Sequence, residues 1–141
     1  MAANMTRHRR LADHVLAAWN SQDVERVLAC YVEDLAYLDP NTRGPVRGRE
    51  ALRAYLTKLF SRWTMTWEPE ELFPLDGVDG VAIRWAGTLA PAGQSRSVEI
   101  SGLDLVILDG ELVERNEVYF DRSPLASLLA PASVAPDVRS S

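Results

Sequence analysis

The sequence has little with which to build metal or thiol chemistry: among 141 residues there are one cysteine, Cys30, and two histidines, His8 and His14. A lone cysteine closes no internal disulfide, and Cys30 falls on an apolar helical stripe, where a small core side chain is expected. Two histidines without cysteine or further histidine partners make no zinc ligand set, so no metal and no cofactor are expected. Basic charge is also in deficit, with 15 Lys and Arg against 20 Asp and Glu and a formal net charge of -5. A phosphate-binding surface needs a basic surplus, which argues against a nucleic-acid partner. No apolar run approaches the roughly 20 residues that span a membrane. The one basic cluster, Arg7-His8-Arg9-Arg10, is followed by Asp13 and His14 where a signal peptide would have its apolar region. A cytoplasmic protein is therefore expected.

What the chain does have is 47 % hydrophobic residues in a length suited to one domain, enough to bury roughly two-thirds of the surface its unfolded form exposes. Leu11, Val15, Ala18 and Trp19 share one face of a helix expected from about Thr6 to Trp19. Asn20 and Ser21 end it and cap a second helix, whose apolar positions Val24, Val27, Leu28 and Tyr31 are spaced i, i+3, i+4, i+7. A short extended segment, Leu35 to Asp39, is stopped by Pro40, because a residue before proline is pushed out of helical geometry. After the loop Asn41 to Pro45 and Gly48 comes a third helix with the stripe Leu52, Tyr55, Leu56, Leu59, Phe60 and Trp63.

From residue 65 the period changes to two, and turn signals stand at Asp76-Gly77, Ala92-Gly93 and Asp109-Gly110. Four strands are predicted, roughly Thr66 to Phe73, Val78 to Leu89, Ser97 to Leu108 and Glu111 to Phe120. Helices followed by consecutive antiparallel strands indicate an α+β fold. A short helix near Pro124 to Leu129 would close the single domain, residues 1–129, and the Ala-, Pro- and Ser-rich tail 130–141 reads as disordered.

Along the second strand Val81, Ile83, Trp85, Gly87 and Leu89 form the apolar row expected to face a pocket. The third strand is apolar on both faces, Leu103, Leu105 and Ile107 on one, and Ile100, Gly102, Val106 and Leu108 on the other. Such a strand should be central, with its outer face covered by a second copy of the chain in a homodimer. Asp104 interrupts the second of these rows, and which of the two faces inward is left open by the period. A buried carboxylate must be paired or held neutral, and a neutral carboxyl group donates a hydrogen bond that can stabilise an oxyanion. The last strand sorts into Leu112, Glu114, Asn116, Val118 and Phe120 against Val113, Arg115, Glu117, Tyr119 and Asp121, and periodicity alone leaves open which set points inward.

The strings Tyr31-Val32-Glu33-Asp34, Leu38-Asp39-Pro40 and Val46-Arg47-Gly48-Arg49-Glu50, with Asp104 shortly before the Asp109-Gly110 turn, carry a resemblance over about residues 11 to 125. In that order and spacing they resemble the ketosteroid isomerase and SnoaL-like polyketide cyclase branch of the nuclear-transport-factor-2-like superfamily. The resemblance implies a cone-shaped α+β barrel, three N-terminal helices packed on a curved, mostly antiparallel sheet that encloses a pocket. It also implies that Asp39 is the general base, that Asp104 is the hydrogen-bond donor to a dienolate oxygen, and that Glu117 stands where the cyclases and related epoxide hydrolases hold a catalytic aspartate. That last placement turns the Arg115, Glu117, Tyr119 and Asp121 face inward. The partner tyrosine of the oxyanion hole falls on Val15, with Tyr31 or Tyr55 as its possible replacement. The epoxide hydrolases also need an arginine facing the pocket from an adjacent strand, and Arg84 lies on the wrong parity for that.

Each of these acids also has a plain structural role available. Asp39 can make an Asx turn at Pro40, Glu117 can pair with Arg115, and Asp121 can cap the last helix through Ser123. Trp19, Tyr31, Tyr55, Trp63, Trp85 and Tyr119 divide between core and pocket lining. The expected function is a cofactor-independent acid/base isomerase or cyclase acting on a hydrophobic, polyketide- or steroid-like carbonyl compound. Its catalytic set would be Asp39, Asp104 and Glu117, in a pocket lined by Val15, Trp19, Tyr31, Tyr55, Trp63, Trp85, Tyr119 and Asp121. A binding module of the same fold is the alternative.

Overall fold

The computed structural model describes residues 2–129; the tail expected to be disordered lies outside the described residues. Three helices precede the main sheet: α1 (Ala2–Ser21), α2 (Val24–Leu28) and, after strands β1 (Tyr31–Leu38) and β2 (Val46–Arg47), α3 (Arg49–Arg62). Four long strands follow, β3 (Trp63–Pro74), β4 (Gly80–Pro91), β5 (Val98–Asp109) and β6 (Leu112–Phe120), and then a 3-10 turn, Ser123–Leu125, that runs into α4 (Ala126–Leu129). The six strands form one sheet in the order β2-β1-β6-β5-β4-β3, antiparallel throughout except where β1 runs parallel to β6. Fold class and the four predicted strands agree with the sequence pattern. Strand β2 is two residues long and gave no periodic signal.

One boundary differs instructively. Helix α2 ends at Leu28 instead of continuing to Tyr31, and Cys30 already pairs through its carbonyl with the Val113 amide. Tyr31 is completely buried. A helix turned into a strand keeps Tyr31 inward, so an apolar residue at i+7 fits both conformations and the spacing could not separate them.

Two glycines let the sheet close around large rings. A Cβ on Gly102 would come within 2.5 Å of Trp85 Cζ2, and one on Gly87 within 2.6 Å of Trp67 Cε3. The indoles therefore lie flat over neighbouring strands, meeting edge to face with centroids 4.8 Å apart.

Strand β3 is a sheet edge, and side-chain amides at the C-terminal end of α1 and just after it cover its first half. Asn20 donates to the Trp67 carbonyl at 2.9 Å and accepts from the Trp67 amide at 2.7 Å. Gln22 donates to the Trp63 carbonyl and accepts from the Met65 amide, both at 2.8 Å. These amides replace a missing neighbouring strand, and Gln22 reaches its position with a left-handed φ of 53°. At the other end of α1, Arg7 grips Asp79 with two nitrogens at 2.9 and 3.0 Å and also contacts Glu111. His8 reaches the same Asp79 at 3.0 Å. The basic cluster of the sequence is thus largely a clamp between α1 and two sheet turns.

Candidate functional site

Helices and sheet splay apart around a cavity of about 470 Å³. Its wall is overwhelmingly apolar, and all four tryptophans of the chain, Trp19, Trp63, Trp67 and Trp85, line it. A void of that volume, apolar with a few converging polar groups, matches the usual form of a small-molecule site, roughly 300–1,000 Å³. Three buried polar side chains face it: Asp39, Asp104 and Asn116.

Asp104 sits in the inner row of β5 opposite Ile83 of β4 and Val118 of β6. Its Oδ1 accepts from Trp85 Nε1 at 3.0 Å, and the Asn116 side chain also hydrogen-bonds to it. Burial outweighs both donors and pushes its pKa up to about 7, with a smaller contribution from the nearby negative charge of Asp39. Near neutrality this carboxyl group is therefore divided between its acid and base forms.

Asn116 is held in turn by a chain of donors. Trp19 Nε1 donates to Tyr31 Oη at 3.0 Å, Tyr31 Oη donates to Asn116 Oδ1 at 2.8 Å, and Asn116 Nδ2 donates to the Leu105 carbonyl at 3.3 Å. Tyr31 is completely buried, and burial raises its phenol far above the ordinary tyrosine range. It remains a neutral donor.

Asp39 follows β1, and every lone-pair direction of its carboxylate is occupied. Oδ1 accepts from the amides of Asn41 at 2.7 Å and Thr42 at 3.1 Å, and Oδ2 accepts from Tyr37 Oη at 2.7 Å and Tyr55 Oη at 2.5 Å. The Asx turn and the pocket position thus coexist in one residue. To take up a proton, Asp39 must lose one of these four bonds.

The other sequence-predicted residues divide clearly. Trp19, Trp63 and Trp85 line the cavity; Tyr31 and Tyr55 stand behind it, the first holding Asn116 and the second holding Asp39. Val15 packs against the core without lining the cavity. Glu117, Tyr119 and Asp121 require correction, because the inner residues of β6 are Asn116, Val118 and Phe120. Glu117 instead pairs with Arg115 at 2.7 Å and accepts from Tyr119 at 2.5 Å, and these two contacts lower its pKa. Tyr119 is half-exposed, and Asp121 accepts from the Ser123 amide at 2.9 Å and its hydroxyl at 2.8 Å. The physical reason is a bulge: Ile107 pairs with Arg115 but Leu108 with Val113, leaving Glu114 as an extra residue that resets the alternation of β6. Arg84 lies on the outer face and pairs with Glu70 and Glu71, so β4 contributes no arginine to the cavity.

Sequence reasoning missed Asn116, Met65, Trp67, Phe120 and the exposed arginines Arg62 and Arg122 as lining residues. Only Asn116 carried a signal: it is an uncharged polar residue in a strand row otherwise ending in Val118 and Phe120. Among the described residues no group of three or more His, Cys, Asp or Glu side chains could hold a metal ion, and no described helix is long and apolar enough to cross a membrane.

Solved structures share this architecture. A candidate polyketide cyclase from Xanthomonas campestris pv. campestris superposes with a TM-score of 0.76 at 18 % identity, covering 90 % of this chain and 99 % of that one. A protein with a ketosteroid isomerase-like fold from Catenulispora acidiphila, solved with trimethylamine, gives 0.75 at 18 % identity over 89 % and 97 %. TerC, co-crystallised with polyporic acid, gives 0.74 at 15 % identity over 87 % and 98 %. At these identities the likeness is one of fold. No curated protein matches the sequence. The SnoaL-like domain, however, matches residues 12–115, which take in the second half of α1, α2, α3, Asp39, Asp104 and most of the sheet. On that match the chain belongs to the SnoaL-like domain family.

Proposed function

We propose that the protein is a cofactor-independent acid/base enzyme that isomerises or cyclises a hydrophobic carbonyl compound inside the tryptophan-lined cavity. The observation that carries this reading is Asp104: a buried carboxyl group, its pKa pushed up to about 7 by desolvation, that opens on an apolar void of about 470 Å³. A general acid or base works best when its pKa lies near the working pH. Protonated Asp104 donates to the carbonyl oxygen of the substrate, and the oxygen gains negative charge as the adjacent carbon loses a proton. Asp39 receives that proton once the hydroxyl of Tyr55 or Tyr37 turns away from Oδ2. Trp67 Nε1 is buried without a hydrogen-bond partner among the described residues and is a further donor for a substrate oxygen. Polyporic acid, the molecule co-crystallised with TerC, supports a ring-bearing oxygenated compound as the substrate class.

The filled hydrogen-bond set of Asp39 favours a second reading, a binding module in which that carboxylate only shapes the loop. Deuterium exchange separates the two. With 2-acetylnaphthalene in heavy water, an enzyme speeds exchange at the carbon next to the carbonyl; Asp104→Asn and Asp39→Asn each reduce that rate by two orders of magnitude or more. Exchange no faster than in buffer, despite measurable binding, leaves the binding module.

The proposal extends to a cytoplasmic homodimer through the outer sheet face. There half-exposed Leu103 lies opposite half-exposed Tyr119, and the flanking charges are already paired, Arg84 with Glu70 and Glu71, Arg115 with Glu117. Sedimentation showing a monomer at micromolar concentration would refute the dimer.

A further inference from the structure

The residues that line the cavity differ in exposure, and that difference sorts them by depth. Asp104, Asn116, Trp85, Met65 and Leu89 are buried and form the floor, whereas Arg62 and Arg122 are exposed and lie at the entrance. The entrance has one sign of charge. Among the described residues the only carboxyl groups on the lining are Asp39 and Asp104, both buried, so its exposed charged side chains there are both cations.

Neither cation is spent on an ion pair. Among the described residues Arg62 and Arg122 have no carboxylate partner, as is also true of Arg9, Arg26, Arg43, Arg47 and Arg96, but of these seven only Arg62 and Arg122 line the cavity. Arg122 makes one hydrogen bond, to the Pro40 carbonyl at 3.3 Å, which leaves most of its guanidinium donors unused. Its charge is also felt at Tyr55, the phenol that holds Asp39, so its field reaches the inner site. In a protein of net charge -5, two unpaired arginines at the opening of an apolar cavity form a local reversal of the overall field.

Resting on the reading of the cavity as a carbonyl site, we infer that the substrate is amphipathic: a ring system with its carbonyl directed at Asp104 and a carboxylate or similarly acidic group at its outer end, held by Arg62 and Arg122. The two acids set the orientation. An anionic group driven to the floor would lie against Asp104 with Asp39 nearby, where like charge and desolvation both oppose it. At the entrance the same group remains partly hydrated and meets two planar donors suited to a carboxylate. Arg62 also stands in the last turn of α3, where any cation suits the helix dipole. That role requires charge but no ligand.

The test uses tryptophan quenching by a matched pair, 6-acetyl-2-naphthoic acid and 2-acetylnaphthalene, which differ in the carboxylate alone. The acid is expected to bind roughly tenfold tighter at low salt, about 1.4 kcal/mol, with the advantage shrinking at 0.5 M NaCl as the screening length shortens. The double variant Arg62→Gln, Arg122→Gln is expected to remove the preference while the affinity for the neutral ketone moves less than twofold. The pair Arg62→Lys, Arg122→Lys should retain part of it. Equal affinity of both compounds for the wild type, or a preference that survives loss of both arginines, overturns the inference and leaves the carbonyl site standing. No quenching by either compound overturns both. Selective, arginine-dependent binding without deuterium exchange upholds the amphipathic ligand and removes the enzyme.

Discussion

Tyr31 donates its phenolic proton to Asn116 Oδ1 across 2.8 Å, and in doing so decides which end of that amide faces Asp104. With Oδ1 committed to Tyr31, the NH2 end is left for Leu105 and for the Asp104 carboxyl group, where it favours the ionised form.

Replacing Tyr31 with Phe removes that constraint. The amide is then free to turn its oxygen toward protonated Asp104, so the Asp104 midpoint moves above its present value of about 7. The pH dependence of tryptophan fluorescence reports it, because Trp85 is bonded to Asp104. Stability falls by about 1–3 kcal/mol from the unsatisfied amide oxygen and indole. A midpoint that stays in place would mean that Leu105 alone orients Asn116.

Asp104 makes the fold pH-dependent in a defined direction. Its folded pKa lies above the ordinary value of 3.8, so the folded state holds its proton more tightly than the unfolded state. Its contribution is fully present below about pH 3.8 and is lost as pH rises toward 7. The loss is on the order of 4 kcal/mol, at about 1.4 kcal/mol per unit. Asp104→Asn carries no such term. Its Tm relative to wild type should therefore be higher at pH 8 than at pH 5, and a difference independent of pH would contradict the buried titration.

Gly102 is required by Trp85, since a Cβ there would lie 2.5 Å from both the indole Cζ2 and the Tyr119 carbonyl. Backbone cannot yield on one side and a buried ring has little room on the other. Gly102→Ala should cost about 1–3 kcal/mol through overpacking, displace Trp85 from Asp104 and red-shift tryptophan emission. A variant with wild-type Tm and spectrum would show that the strands spread without cost.

The edge of the sheet depends on Gln22. Gln22→Gly keeps the left-handed φ of 53° but deletes both side-chain bonds to β3. Hydrogen exchange at the Met65 amide should rise well above that of β4 amides, and the variant should aggregate on mild heating as the strand edge opens. Unchanged protection would place the edge's stability elsewhere.

Asp104 was legible in the sequence because aspartate is rare in the middle of an apolar strand, and the period of two set it in one row with Ile100, Gly102 and Val106, the row that the assembled sheet turns inward. Asp39 was legible through its place ahead of Pro40, but its four donors come from a loop, from β1 and from α3, and no local pattern brings these together. Glu117 was misplaced because the family resemblance set it on the inner face, whereas the register of β6 after its bulge turns Asn116, Val118 and Phe120 inward.

The amino-acid order alone determined where helices and the four long strands lie, the inner row of β4 and the row of β5 that holds Asp104, since each follows from a period of 3.6 or 2 within one element. Only the assembled sheet decided which face of β6 looks inward. A strand's period specifies which residues alternate but not which set is inside, and the bulge at Glu114 is set by hydrogen-bond register with β5. The tertiary structure likewise decided that Tyr31 and Tyr55 act from behind the cavity, and that Arg62 and Arg122, 60 residues apart in sequence, are exposed residues of the same cavity wall. Which residues share a cavity wall across such a separation depends on how the whole sheet and helices assemble, and no local pattern of residues encodes that.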